Sequence, residues 1–257
     1  MAKHWSPRVV TDGLIFYIDA QNPDSYEPDL SKVYSLAKQE DGGDFTHLLN
    51  QIDLQQPPPP DPGDGIILAN DGGILSFEGD GTDEFLRSQG APFATIGPDI
   101  TFSVWQSHVR GDAVASSIFC GGAGGSANRW WLYAPNDTIN FRVTDGVTAY
   151  GISFTGYTAL AYPNDWNSLT GTLSLNMNGT TSTIRIYVNG EMVAENLNLP
   201  VVAQRAAGPN EPEIGRGASS GSQRLDGKIA SAKIYNRALT ADEVLQNYNA
   251  VKSRFGL

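Results

Sequence analysis

The stretch "DGKIASAKIYNRALTADEVLQNY" (226–248) settles the fold once it is read residue by residue. "KIASAKIYN" reads as a strand carrying Ile229 and Ile234, and "RALTADEV" turns a corner into a helix. Thr240 is an N-cap, and Glu243 three residues on completes a capping box. Leu239 before the cap and Val244 after it form a hydrophobic staple. Such a cap stabilises by about 1 kcal/mol, which matters for a short helix. Val244, Leu245, Tyr248 and Val251 give the helix an apolar face, so it must pack on a larger apolar body.

Upstream, that body is built of strands. "GLIFYIDA" (13–20) alternates Leu14, Phe16 and Ile18 with Ile15, Tyr17 and Asp19, the period of a strand. From residue 74 onward come "ILSFE", "DEFLRS", "ITFSVWQSHV", "SSIFC", "RWWLYA", "TINFRV", "AYGISF", "WNSLTGTLSL", "STIRIYV" and "EMVAE". Glycine-rich turns separate them, and Asn189-Gly190 supplies the positive φ angles of a tight hairpin. Roughly a dozen strands of this kind predict an all-β antiparallel sandwich or jelly roll. The closing strand is expected to pair with the first, with the helix as a plug across one open end of the sandwich.

Residues 20–73 break the pattern. "DLSKVYSLAKQ" has Leu30, Val33 and Leu36-Ala37 at helical spacing, while "QQPPPPDPGDG" removes amide donors and favours extended chain. The segment is read as a long insertion within a single domain spanning 1–257, either a surface loop or a contact arm.

The 257 residues carry a net charge of −11 and one cysteine, Cys120. That balance argues against nucleic acid, whose binding runs on Lys and Arg. A single cysteine excludes an intrachain disulfide framework and any zinc site built on several cysteines. "MAKHWSPRVV" lacks the apolar run of a signal peptide, and nothing later is read as spanning a bilayer. The expectation is a protein made in a cytoplasm.

Several segments carry a family likeness. "WNSLTGTLSL…STIRIYVNGEMV" (166–193), "SFEGDGTDEFL" (76–86) and "LDGKIASAKIYNRALTADEVLQNYNAVKSRFGL" (225–257) resemble laminin G-like, concanavalin A-like jelly rolls. "GLIFYIDAQNPDSY" (13–26) resembles the opening of a subgroup common in tailed phages. The resemblance implies a concanavalin A-like sandwich with one short C-terminal helix. It also implies a non-enzymatic virion structural protein, as capsid decoration or tail-fibre component. Partners would be other virion proteins, copies of itself and a host surface glycan. The alternative is a lectin-like carbohydrate-binding module, and the third reading is a glycan-degrading enzyme.

Enzyme chemistry finds little support. Glycoside hydrolysis needs two carboxylates flanking the sugar bond, and no Glu-x-Asp-x-(x)-Glu strand exists here. "CGGAGGSANRWW" (120–131) lacks the Gly-Lys-Ser/Thr and helix of a phosphate cradle. The resemblance implies a structural calcium, with Asp19, Glu78, Asp80 and Asp226 as its carboxylates. For a glycan or partner, Trp130 and Trp131 must point to opposite faces of one strand, with Asn128, Arg129 and Tyr133 beside them. Trp105 and Trp166 lie in strongly alternating strands and are expected in the core.

Overall fold

The computed structural model describes residues 8–26, 33, 35–37, 67–80, 86–87, 99–108, 116–121, 130–134, 137–144, 148–157, 166–176, 179–200, 213–215 and 225–257. In chain order the strands begin with β1 (Leu14–Asp19), β2 (Ile67–Asp71), β3 (Ile74–Asp80), β4 (Leu86–Arg87) and β5 (Ile100–His108). Next come β6 (Ser116–Gly121), β7 (Trp130–Ala134), β8 (Thr138–Thr144), β9 (Ala149–Thr155) and β10 (Asn167–Leu175). The last are β11 (Thr181–Val188), β12 (Glu191–Pro200), β13 (Glu213–Ile214) and β14 (Asp226–Tyr235), followed by helix α1 (Ala241–Val251).

Two antiparallel sheets result. One has eight strands in the order β12-β11-β10-β5-β14-β3-β2, with β1 also on β14; the other has six, β4-β13-β6-β7-β8-β9. β14 organises the larger sheet. One edge runs along β5, from Gly227 opposite His108 to Tyr235 opposite Thr101. Its other edge is shared: β3 takes Asp226–Ile229 and β1 takes Ser231–Tyr235. The pairing of first and last strands therefore follows the sequence expectation.

Alternation sorts the side chains into layers. Ile100, Phe102 and Val104 of β5 meet Ile139, Phe141 and Val143 of β8 in the central core. Phe102 stacks on Trp130 at 4.2 Å and meets Phe141 edge-on at 5.8 Å. Gly171 of β10 makes room for this, since a Cβ there would stand 2.8 Å from the Phe141 ring.

The opposite faces of β5, β11 and β14 are buried as well, beneath the C-terminal segment. Tyr187 and Tyr235 pack with Leu239 and Val244. Trp105 stacks on Phe255 at 4.2 Å and on Tyr248 at 5.6 Å, and Trp166 joins Phe255 at 5.1 Å. Helix α1 thus lies on the outer face of the eight-stranded sheet, which corrects the expected plug across an open end. The physical reason is in β14 itself, which carries large side chains on both faces and needs cover on both. Trp105 and Trp166 are buried as expected, in this second core.

The cap forms as expected. Thr240 Oγ1 accepts from Glu243 N at 3.3 Å, and Thr240 N donates to Glu243 Oε2 at 2.9 Å. Asn189 and Gly190 hold positive φ at the β11–β12 turn.

Between 20 and 73 the outcome is mixed. Val33 is not in a helix: it bridges to Tyr26, and Leu36 N donates to Tyr17 O at 2.6 Å. Val33 and Ala37 are buried, the former in the central core. Pairing to the edge of β1 outweighs the helical spacing, because it satisfies backbone groups that a short helix would leave open. β2 pairs with β3 through a Gly72-Gly73 turn. The proline run 57–60 lies outside the described residues.

Candidate functional site

β7 follows the rule for adjacent strand residues. Trp130, Leu132 and Ala134 are buried against the central core, and Trp131 and Tyr133 stand half-buried on the outer face of the six-stranded sheet. Trp130 is thereby removed from the expected binding residues, because its ring is spent on Phe102. Asn128 and Arg129 lie outside the described residues.

Register builds a platform around the two outward aromatics. Trp131 is opposite Arg142 of β8, which is opposite Gly151 of β9; Tyr133 is opposite Asn140, which is opposite Ser153. The Trp131 and Tyr133 rings lie 6.3 Å apart, 25° from parallel. The Arg142 guanidinium carbon is 6.0 Å from the Tyr133 centroid. Its stem crosses Gly151, where a Cβ would meet Arg142 Cγ at 2.7 Å. Ser153 Oγ donates to Asn140 Oδ1 at 2.6 Å, which fixes the amide so that its nitrogen faces away.

The arrangement offers two ring faces, a guanidinium and the exposed Ser153 hydroxyl within one patch, with the buried Asn140 holding that hydroxyl in place. Ring faces take the C–H side of a flat apolar-and-hydroxylated ligand, and the polar groups take its oxygens. Sequence reasoning named Trp131 and Tyr133 but missed Arg142, Asn140 and Ser153. The signal was present in "TINFRV": Asn140 and Arg142 are the polar positions alternating with Ile139, Phe141 and Val143.

Of the expected calcium ligands, Asp19 and Glu78 are engaged by cations. Asp19 is held by Arg254 Nη1 at 2.6 Å on Oδ1, by the Tyr17 hydroxyl at 2.8 Å on Oδ2, and by Gln21 N at 2.9 Å. Glu78 faces Lys228 Nζ at 3.7 Å, and Lys228 also binds Asp71 at 2.6 Å. Asp80 and Asp226 stand opposite each other across β3 and β14. Asp19 lies opposite Ser231, further along β14 by about 16 Å at strand rise. Among the described residues no three His, Cys, Asp or Glu side chains are placed to hold a metal ion. Asp19 and Glu78, each engaged by a cation and set apart along the sheet, do not fit one calcium site together, since Ca²⁺ needs six to eight converging oxygens.

A model of the concanavalin A-like lectin/glucanases superfamily matches residues 80–245, and the chain belongs to that family. Among solved structures, it resembles the CBM40 domain of the Ruminococcus gnavus IT-sialidase bound to alpha2,6 sialyllactose, at 16% identity and TM-score 0.51. That match covers 67% of this chain and 96% of the CBM40. It also resembles the binding domain of Paraclostridial Mosquitocidal Protein 1, at 14% identity and TM-score 0.58, covering 93% of this chain and 52% of that one. The receptor binding domain of botulinum neurotoxin type G gives 13% identity, TM-score 0.56, and coverage of 92% and 51%. The chain therefore spans about half the length of these two toxin domains. At such identities the likeness speaks for the fold. No curated protein sequence matches.

Proposed function

We propose that this chain is a non-catalytic attachment module that binds carbohydrate on the outer face of its six-stranded sheet. The observation that carries this is the Trp131–Tyr133 pair with Arg142 laid beside it. A pyranose ring stacks its C–H face on an aromatic plane, Arg142 donates to a ring substituent oxygen, and the Ser153 oxygen, its proton committed to the buried Asn140, accepts from a sugar hydroxyl. The named binding roles of the similar folds, one bound to sialyllactose, one a receptor binding domain and one a binding domain, support attachment over catalysis.

Titration against an oligosaccharide panel, followed by intrinsic tryptophan fluorescence and NMR, tests the reading. Trp131→Ala and Arg142→Ala should each weaken binding about tenfold or more while the melting temperature stays close to that of the parent. Undiminished binding by a folded Trp131→Ala, Tyr133→Ala double variant would sink the assignment. Release of reducing sugar from any bound glycan would sink the non-catalytic part.

The phage setting belongs to the same proposal, as a virion surface protein that attaches to a host glycan and associates with copies of itself. It rests on the likeness of residues 13–26. Immunolabelling of purified particles and sedimentation of the isolated protein test those two parts separately.

A further inference from the structure

On the opposite side of the molecule, where β1 and β3 divide the edge of β14, lies a group of buried donors that the attachment role does not use. Lys233 is 3% exposed, with its ammonium 4.5 Å from the centroid of Tyr17, the residue directly opposite it on β1. Ser231, two positions along β14, sits opposite Asp19 and is 1% exposed. Arg254 descends from the C-terminal 3-10 turn (Lys252–Phe255), with Nη1 on Asp19 and Nη2 on the Leu75 carbonyl at 3.1 Å. Ser76 follows Leu75 and is fully buried. It shares its strand face with Ile74, which packs in one cluster with Phe255 under that turn.

Ser76 Oγ, Ser231 Oγ and Arg254 Nε are all buried without a hydrogen-bond partner. Three orphaned groups on adjoining elements are unusual, since each costs about 1–3 kcal/mol. The charges do not balance either. Asp19 is answered by Arg254 and saturated by Tyr17 and Gln21, and among the described residues no carboxylate makes an ion pair with Lys233. One positive charge and three orphaned donors therefore lie on the same outer face, around the place where Arg254 bridges Asp19 of β1 and the Leu75 carbonyl of β3.

We propose that Lys233, Ser231, Ser76 and Arg254 hold a small monovalent anion of halide size, chloride in ordinary solution, buried beneath the C-terminal turn. An acceptor-only sphere satisfies every orphaned donor at once and cancels the charge of Lys233. Water would satisfy the hydroxyls but leave that charge unanswered. Burial, and after it the nearby Arg254 guanidinium, lower the Lys233 ammonium to about 8 against the pull of Asp19. An anion at this position opposes that loss and keeps the lysine charged.

The test needs no knowledge of the attachment ligand. In the intact protein at constant ionic strength, replacing gluconate by chloride should raise the melting temperature by roughly 3–5 °C per tenfold chloride once chloride exceeds its dissociation constant. Lys233→Met, and separately Ser231→Ala for a milder change, should flatten that response. Crystals grown in bromide should show an anomalous peak within hydrogen-bond reach of Lys233 Nζ, Ser231 Oγ and Arg254 Nε. Equal melting in chloride and gluconate, or a water without anomalous signal at that position, would overturn the proposal.

Discussion

Gly151 holds a place on the proposed binding face that no side chain can share. A Cβ there would stand 2.5 Å from the Phe141 carbonyl oxygen, which is backbone and cannot swing aside, and 2.7 Å from Arg142 Cγ. Gly151→Ala is expected to cost about 1–3 kcal/mol in urea denaturation and to displace Arg142, weakening glycan binding further than stability alone explains. Glu243 carries a second residue-scale prediction. Arg237 hydrogen bonds first, then the Thr240 amide, hold its carboxyl at about 2 against an ordinary 4.5. A depressed acid stabilises fully above its ordinary value, and that contribution fades as pH falls from about 4.5 toward 2. Melting temperature against pH should show this slope, and Glu243→Gln should reduce it. The tryptophan pair shows where sequence reasoning stops at this scale. Alternation requires one ring in and one out, but the choice between Trp130 and Trp131 depends on Phe102 across the sandwich, a partner that no local pattern names.

Helix α1 and its trailing turn act as one packing unit, so their defects should read out together. Thr240→Ala removes half the capping box and should cost about 1 kcal/mol. Phe255→Ala empties the space against Trp105 and Trp166, and should cost about 3–5 kcal/mol with a change in tryptophan emission. The helix, its cap and its staple were all legible in "RALTADEV", because capping is local chemistry. Its docking site was not, since that depends on Tyr187 and Trp105 reaching the outer face of the sheet from strands far away in sequence. Strand β13 escaped for a related reason: two residues, Glu213 and Ile214, carry no period, and only pairing with β4 and β6 makes them a strand.

For the molecule as a whole, the region 20–73 is more than an appendage. It brings Val33 into the central core and adds β2 to the larger sheet, so deleting 20–73 should lower stability markedly, measured by chemical denaturation. Calcium added to chelator-treated protein is expected to leave the melting temperature unchanged, because Arg254 and Lys228 engage two of the four expected ligands. The sandwich also separates its two outer faces. Val10 donates to Asn247 Oδ1 at 2.7 Å, and Leu257 packs with Phe255, so both ends of the described chain gather on the helix-covered face. The Trp131 platform belongs to the other sheet and looks the opposite way. A linker joined near either end, whether to a sensor chip or to a larger assembly, would grip the molecule from behind and present its aromatic side to the surroundings.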